Sequence, residues 1–142
     1  MDNKELCEMA RNARSRAYAP YSGYTVGAAL LCASGRVYTG CNIENAAFSP
    51  SVCAERVAVF KAVSEGEKDF LKIAVCGGKN GEAPADSFPP CGVCRQVLAE
   101  FCRRDFTVLL AGPEGYEERT LAQLLPLGFS PDNVEGAKGE NR

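Results

Sequence analysis

The chain has 142 residues, 46% hydrophobic and 24% charged, with 16 basic against 18 acidic side chains and a net charge of −2. That is enough for one domain with a substantial core; it excludes a basic nucleic-acid footprint, and no apolar run approaches the roughly 20 residues of a membrane-spanning helix. Eight cysteines and no histidine restrict any metal site to sulfur and carboxylate ligands and remove imidazole as an acid or base.

Residues 3–17 predict an amphipathic helix with Leu6, Met9, Ala10, Ala13 and Ala17 on one face. Asp2, Lys4, Glu5 and Glu8 argue against a signal peptide, so a cytoplasmic home is expected. Thiols stay reduced there, and a CxxC pair reads as metal-binding or catalytic more readily than as a structural disulfide. Pro20 and the turn-rich APYSGY close the helix. YTVGAALLC (24–32) and RVYTGCNI (36–43) predict two strands joined at Ser34-Gly35. The loop ENAAFSPS leads to a helix over 53–66, whose apolar positions include Val57, Phe60, Val63 and the neighbouring alanines. LKIAVCGG (71–78) predicts a buried strand, and the loop after it is long enough to suspect a function. Cys91 opens a helix to about 104 with Val93, Val97, Leu98 and Phe101 inward. FTVLLAG (106–112) and YEERT (116–120) predict strands, the second a polar edge. Thr120 with Gln123 caps a short helix, LAQLL. Residues 1–131 are expected to form a single domain, with 132–142 a polar, mobile tail. Strands alternating with helices point to an α/β domain with one mixed sheet covered by helices.

Two of the predicted helices begin with cysteine, CAER at Cys53 and CGVC at Cys91. A helix N-terminus stabilises a thiolate. If the two starts lie side by side, Cys53, Cys91 and Cys94 converge. Three protein ligands with an open position mark a catalytic zinc; four mark a structural one. No fourth ligand is evident, and Cys7, Cys32, Cys41, Cys76 and Cys102 read as small core residues. CxxC alone divides between zinc and redox chemistry. Glu55, in the first helical turn, could be a plain dipole partner. Cysteine-x-glutamate combined with P-C-x-x-C, however, is the layout of the zinc deaminases, in which the glutamate is the general acid/base.

GCNIENAAFSPSVCAER (40–56) with PCGVCRQVL (90–98) resembles the cytidine deaminases of the short, homotetrameric type. The likeness extends through APYSGYTVGAALL, KAVSEG and LLPLGF, so it spans most of the chain outside the tail and the 79–89 loop. It implies a three-layer α/β/α fold around a five-stranded mixed sheet, and one Zn2+ per chain on Cys53, Cys91 and Cys94. The implied activity is hydrolytic deamination of cytidine and 2′-deoxycytidine to uridine and 2′-deoxyuridine with release of ammonia, a step of pyrimidine salvage. In the implied cycle Glu55 takes a proton from water, delivers it to ring N3, and then protonates the leaving amine.

Three thiolates make the metal centre electron-rich, and Arg56 is the candidate for charge compensation; a solvated arginine is the alternative. Asn42, Ile43 and Glu44 follow the second strand, where an amide and a carboxylate two positions apart share one face. That suits a grip on ribose, which is the family's use of this segment; a solvated turn is the alternative. By resemblance, the Ala54 backbone binds the pyrimidine carbonyl, Tyr24 packs near the substrate where the family usually has phenylalanine, and Phe129 reaches into a neighbouring subunit's site. The expected partners are a small nucleoside and further copies of this chain, with no nucleic acid and no membrane. The rival readings are a deaminase of another aminopyrimidine nucleoside such as blasticidin S, a non-catalytic zinc-stabilised interaction module, and a CxxC oxidoreductase.

Overall fold

A computed structural model describes residues 1–134. The first helix, α1 (Asn3–Ala13), starts at a capping box in which Asp2 and Glu5 satisfy each other's backbone amides. A single 3₁₀ turn, Arg14–Arg16, ends it, so the helical stretch expected to run to 17 tightens over its last turn. β1 (Tyr24–Cys32) and β2 (Val37–Cys41) pair antiparallel. Gly35 supplies the positive φ (93°) that closes their turn. α2 (Ala54–Ser64), β3 (Phe70–Lys79), α3 (Gly92–Phe101), β4 (Thr107–Ala111), β5 (Tyr116–Thr120) and α4 (Leu121–Leu124) follow. A 3₁₀ turn, Pro131–Asn133, capped by Ser130, runs from the end of the expected domain into the first residues of the expected tail. Residues 135–142 of that tail lie outside the described residues.

The sheet order is β2-β1-β3-β4-β5. β3 and β4 are parallel and every other pair is antiparallel, so the sheet is mixed, as expected. α1 covers one face, where Leu6, Cys7 and Ala10 pack on Ala29, Leu31, Ala74, Cys76 and Leu109. On the other face α2, α3 and α4 enclose Leu30, Ile73, Val75, Leu98, Val108 and Leu110. This gives the three layers.

Two helix faces differ from expectation. α2 turns Ala54, Ala58, Val59 and Ala62 inward and leaves Phe60 exposed. The helix also runs close over β2: a Cβ on Gly40 would lie 2.3 Å from the Ala54 carbonyl oxygen and 3.1 Å from Val57 Cβ. In α3 the inner stripe is Cys94, Leu98 and Ala99. Val93, expected inward, is 57% exposed, because one residue back from Cys94 is a rotation of about 100°.

The topology also determines where the two cysteine-led helices start. β2 and β3 are each antiparallel to β1, so their C-terminal ends lie at the same end of the sheet. α2 and α3 both begin from that end, where open α/β sheets usually place their ligands.

Candidate metal centre and cleft

Cys53 is the N-cap of α2 and Cys91 the N-cap of α3. Among the described residues neither cysteine side chain makes a capping hydrogen bond, so both thiol groups turn away from their own helix amides towards each other. The Sγ atoms of Cys53 and Cys91 are 3.5 Å apart, and those of Cys91 and Cys94 are 3.6 Å apart. All three lie within 4.8 Å of one another. Sulfur ligands at about 2.3 Å in a tetrahedron sit about 3.8 Å apart. The three thiols are therefore spaced as zinc ligands, with no backbone movement needed to close around an ion. Among the described residues the cluster has these three members and no carboxylate or further thiol.

The surroundings of Cys53 favour its thiolate. The Cys53 thiol is pushed down to about 5, first by the hydrogen bond from Cys94, then by those from Arg56 and Cys91, against the opposing effect of burial. Cys94 is pushed up because its proton is held against the Cys53 sulfur. Arg56 Nη2 lies 3.4 Å from Cys53 Sγ. Burial works against the Arg56 charge, but hydrogen bonds to Cys53 and Cys94 and their negative charge keep it firmly protonated. Its Nε is buried and finds no partner among the described residues.

Glu55, one residue into α2, is 3% exposed. Burial pushes its carboxyl up to about 7, with the Cys53 charge adding to the rise and Arg56 opposing it. A buried carboxyl that exchanges its proton near neutrality is suited to general acid–base work.

Cys53, Cys91 and Glu55 line an open cleft of about 330 Å³, with Cys94 buried behind them. Asn42, Glu44, Tyr24 and Ser22 line the rest, with Phe88 and Pro89. The expected pair at 42 and 44 does come to one cleft, but each is already engaged. The Asn42 amide accepts from Val26 N and donates to the Tyr24 carbonyl, both at 2.8 Å. Glu44 Oε1 accepts from the backbone amides of Tyr21 and Ser22 at 3.0 Å, and Oε2 accepts from the Ser22 hydroxyl. These bonds, the hydroxyl's first, hold the Glu44 carboxyl below its usual value. Ile43 anchors the segment by backbone bridges to Tyr18 and Val52. Ala54 is fully buried, and as the first helical residue its amide belongs to the unpaired N-terminal set. Phe129 is 61% exposed and is not among the residues lining the cleft of its own chain.

Sequence reasoning missed Phe88 and Ser22. Phe88 lies in the long loop before α3, and its ring sits on bare β3 backbone: a Cβ on Gly77 would come within 2.6 Å of it. Its centroid is 6.2 Å from that of Tyr24, so two aromatic rings wall the cleft. An aromatic residue immediately before two prolines was the available signal. Ser22 had none beyond turn composition.

Residues 1–110 match the family model for the cytidine and deoxycytidylate deaminase zinc-binding region. The chain belongs to this family. It is 47% identical to the cytidine deaminase of Sporosarcina psychrophila, over 96% of this chain and 98% of the relative. Its identity to the cytidine deaminase of Halalkalibacterium halodurans is 45%, over 94% and 98%. Among solved structures, the cytidine deaminase from Burkholderia pseudomallei superposes with a TM-score of 0.82 at 40% identity, covering 91% of this chain and all of that one. Zinc is the metal of the family, and the three-thiol cluster offers one site for it.

Proposed function

We propose that this deaminase-family chain hydrolyses cytidine and 2′-deoxycytidine to uridine and 2′-deoxyuridine with release of ammonia. The observation that carries the reading is the convergence of three zinc-spaced thiols on a buried, near-neutral carboxyl that lines a nucleoside-sized cleft. A non-catalytic zinc module would need a fourth protein ligand, which the described residues do not bring to the cluster.

Cys53, Cys91 and Cys94 hold the zinc, which when bound supplies the Lewis acidity that makes water a nucleophile near neutral pH. Arg56 offsets the negative charge of three thiolates, which would otherwise weaken that acidity. Glu55 accepts one proton of the water and passes it to ring N3, then takes the second from the oxygen now on C4 and delivers it to the departing amine. Water adds oxygen to C4 as the C4–N bond breaks, so the products balance as uridine and ammonia. The first amide of α2, at Ala54, is free to donate to the pyrimidine carbonyl. Tyr24 flanks the ring.

Asn42 and Glu44 meet the sugar, with Ile43 holding the segment between them. Both keep capacity for this: each Asn42 amide atom retains a second hydrogen-bonding position, and Glu44 carries ionised oxygens at the cleft rim. Phe129, exposed on its own chain, completes a neighbour's site in a homotetramer. Eight free thiols suit a reducing, cytoplasmic setting, and no helix among the described residues is long and apolar enough to cross a membrane. The test is direct: zinc-loaded protein incubated with cytidine should yield uridine and ammonia in equal amounts. Zinc-loaded protein that leaves both cytidine and 2′-deoxycytidine unchanged refutes the reading.

A further inference from the structure

Two adjacent side chains of α3 hold carbonyl oxygens at opposite ends of the Leu124–Phe129 segment. Arg95 donates from Nε to the Pro90 carbonyl at 2.7 Å and from Nη1 to the Leu124 carbonyl at 2.6 Å. Gln96 Nε2 donates to the Phe129 carbonyl at 2.7 Å. The arch between these ends has little of its own to hold it. Leu127 sits at φ 54°, a region costly for leucine. It is also 97% exposed, so burial of its side chain does not offset that cost. Leu125 packs against the core, and Gly128 lies against Leu125, where a Cβ would come within 2.7 Å. The arch is otherwise fastened to α3, whose start carries Cys91 and Cys94.

We propose that Arg95 and Gln96 are positioning residues: they clamp the 124–129 arch to the helix of the chain's own metal centre, and so fix where Phe129 is presented to the neighbouring subunit's cleft. The proposal rests on the shared-site reading of Phe129. Arginine suits this task because its rigid planar fork reaches two carbonyls at once, which the single ammonium of lysine does less well. The Leu124 carbonyl is one of the terminal acceptors that α4 cannot satisfy internally, and the guanidinium satisfies it. The Pro90 carbonyl belongs to the peptide entering Cys91. One side chain thus spans the metal loop and the arm that leaves for a neighbour.

A loosened clamp lets the arm sample other orientations. Apparent substrate affinity at the neighbour then falls with the fraction of time Phe129 is in place. The effect should therefore fall on KM, and it has a ceiling: no clamp variant raises KM beyond the value reached when the Phe129 ring is removed.

The experiment measures Gln96→Leu, Arg95→Lys and Arg95→Met as zinc-loaded protein, each with and without Phe129→Ala. Losing one or two hydrogen bonds should raise KM for cytidine about 5-fold in Gln96→Leu and about 10-fold in Arg95→Met, with Arg95→Lys between them. The value of kcat should hold within about 2-fold. Added to Phe129→Ala, none of the three should raise KM further. Arg95→Met should also release zinc to a chelator faster than Gln96→Leu, which touches only the arch; equal release overturns the link through Pro90. Effects that multiply with Phe129→Ala overturn the clamp, since the side chains then act elsewhere. Unchanged KM in Gln96→Leu and Arg95→Lys, where Phe129→Ala raises it, overturns the clamp alone. Unchanged KM in Phe129→Ala removes the shared-site reading, and the clamp with it. Arg95→Lys and Gln96→Leu keep the test decisive if Arg95→Met fails to fold.

Discussion

Replacing Gly40 by alanine probes how the start of α2 is held over the sheet. The new Cβ would lie 2.3 Å from the Ala54 carbonyl oxygen, 2.7 Å from Ala58 N and 3.1 Å from Val57 Cβ. Carbon–oxygen contacts relax at about 3.3 Å, so α2 must lift by about 1 Å at the turn that carries Cys53 and Glu55. Overpacking of this kind costs about 1–3 kcal/mol, which for a chain of this size lowers Tm by about 3–12 °C. A displacement of 1 Å at the reacting groups costs about 100-fold in rate. Gly27→Ala is the matched control. Its Cβ would lie 2.0 Å from the Ala10 carbonyl oxygen and 2.8 Å from Arg14 N, on the opposite face of the sheet. It should destabilise at least as much while kcat of the folded protein stays within about 3-fold. Calorimetry, zinc content and kcat on cytidine, measured below both melting transitions, give the comparison. If zinc-loaded Gly40→Ala keeps kcat within about 3-fold, packing on β2 does not set the position of the catalytic turn, and the reasoning from backbone contact to rate is wrong.

Glu55→Gln should retain about one zinc per chain by elemental analysis and lose nearly all turnover; loss of the metal would make Glu55 a ligand instead of a proton carrier. Glu44→Ala should weaken activity on cytidine by an amount equivalent to about 1–3 kcal/mol, and free cytosine should be a poor substrate for the unmodified protein; equal efficiency on cytosine and cytidine would remove the sugar grip. Co-expressed Glu55→Ala and Phe129→Ala subunits, assayed at cytidine well below KM, should recover about a quarter of the sites, since random pairing supplies both intact residues to that share. Activity no higher than the average of the two parents, in proven mixed assemblies, would put Phe129 outside its neighbour's site.

Much of the architecture was legible because its signals are local. Short apolar runs bracketed by turn residues gave the inner strands, and β5 spans the same five residues, Tyr116–Thr120, that its polar edge pattern indicated. The cysteines at 53 and 91 were legible as helix starts, and the chain places both as N-caps. The inner face of α2 was not legible, because its alanines, valines and phenylalanine are spread around the helix; packing on the sheet, made with residues distant in sequence, buries Ala54, Ala58, Val59 and Ala62. Phe88 escaped for a similar reason. Its place in the cleft depends on bare backbone at Gly77, and no periodicity within its own loop carries that information. Asn42 and Glu44 were legible as a shared face. Their existing hydrogen bonds to β1 and to the turn before it are tertiary, and spacing says nothing of them.

The two cysteine N-caps tie the metal to the life of the chain. Serine or aspartate at such a position typically stabilises a helix by about 1 kcal/mol through a bond to its own amides, and α2 and α3 both forgo it. Their opening turns are instead drawn together through sulfur, so one ion does for two helices what two ordinary caps would do separately. Binding energy of this kind is also folding energy. A newly made chain that meets zinc gains a joined pair of helix starts; one that does not keeps two loose ends on the same rim of its sheet. Chelation should therefore first raise amide exchange at residues 53–56 and 91–95, before the sheet responds. Scarcity of the metal would then govern how long the chain survives as well as how fast it works.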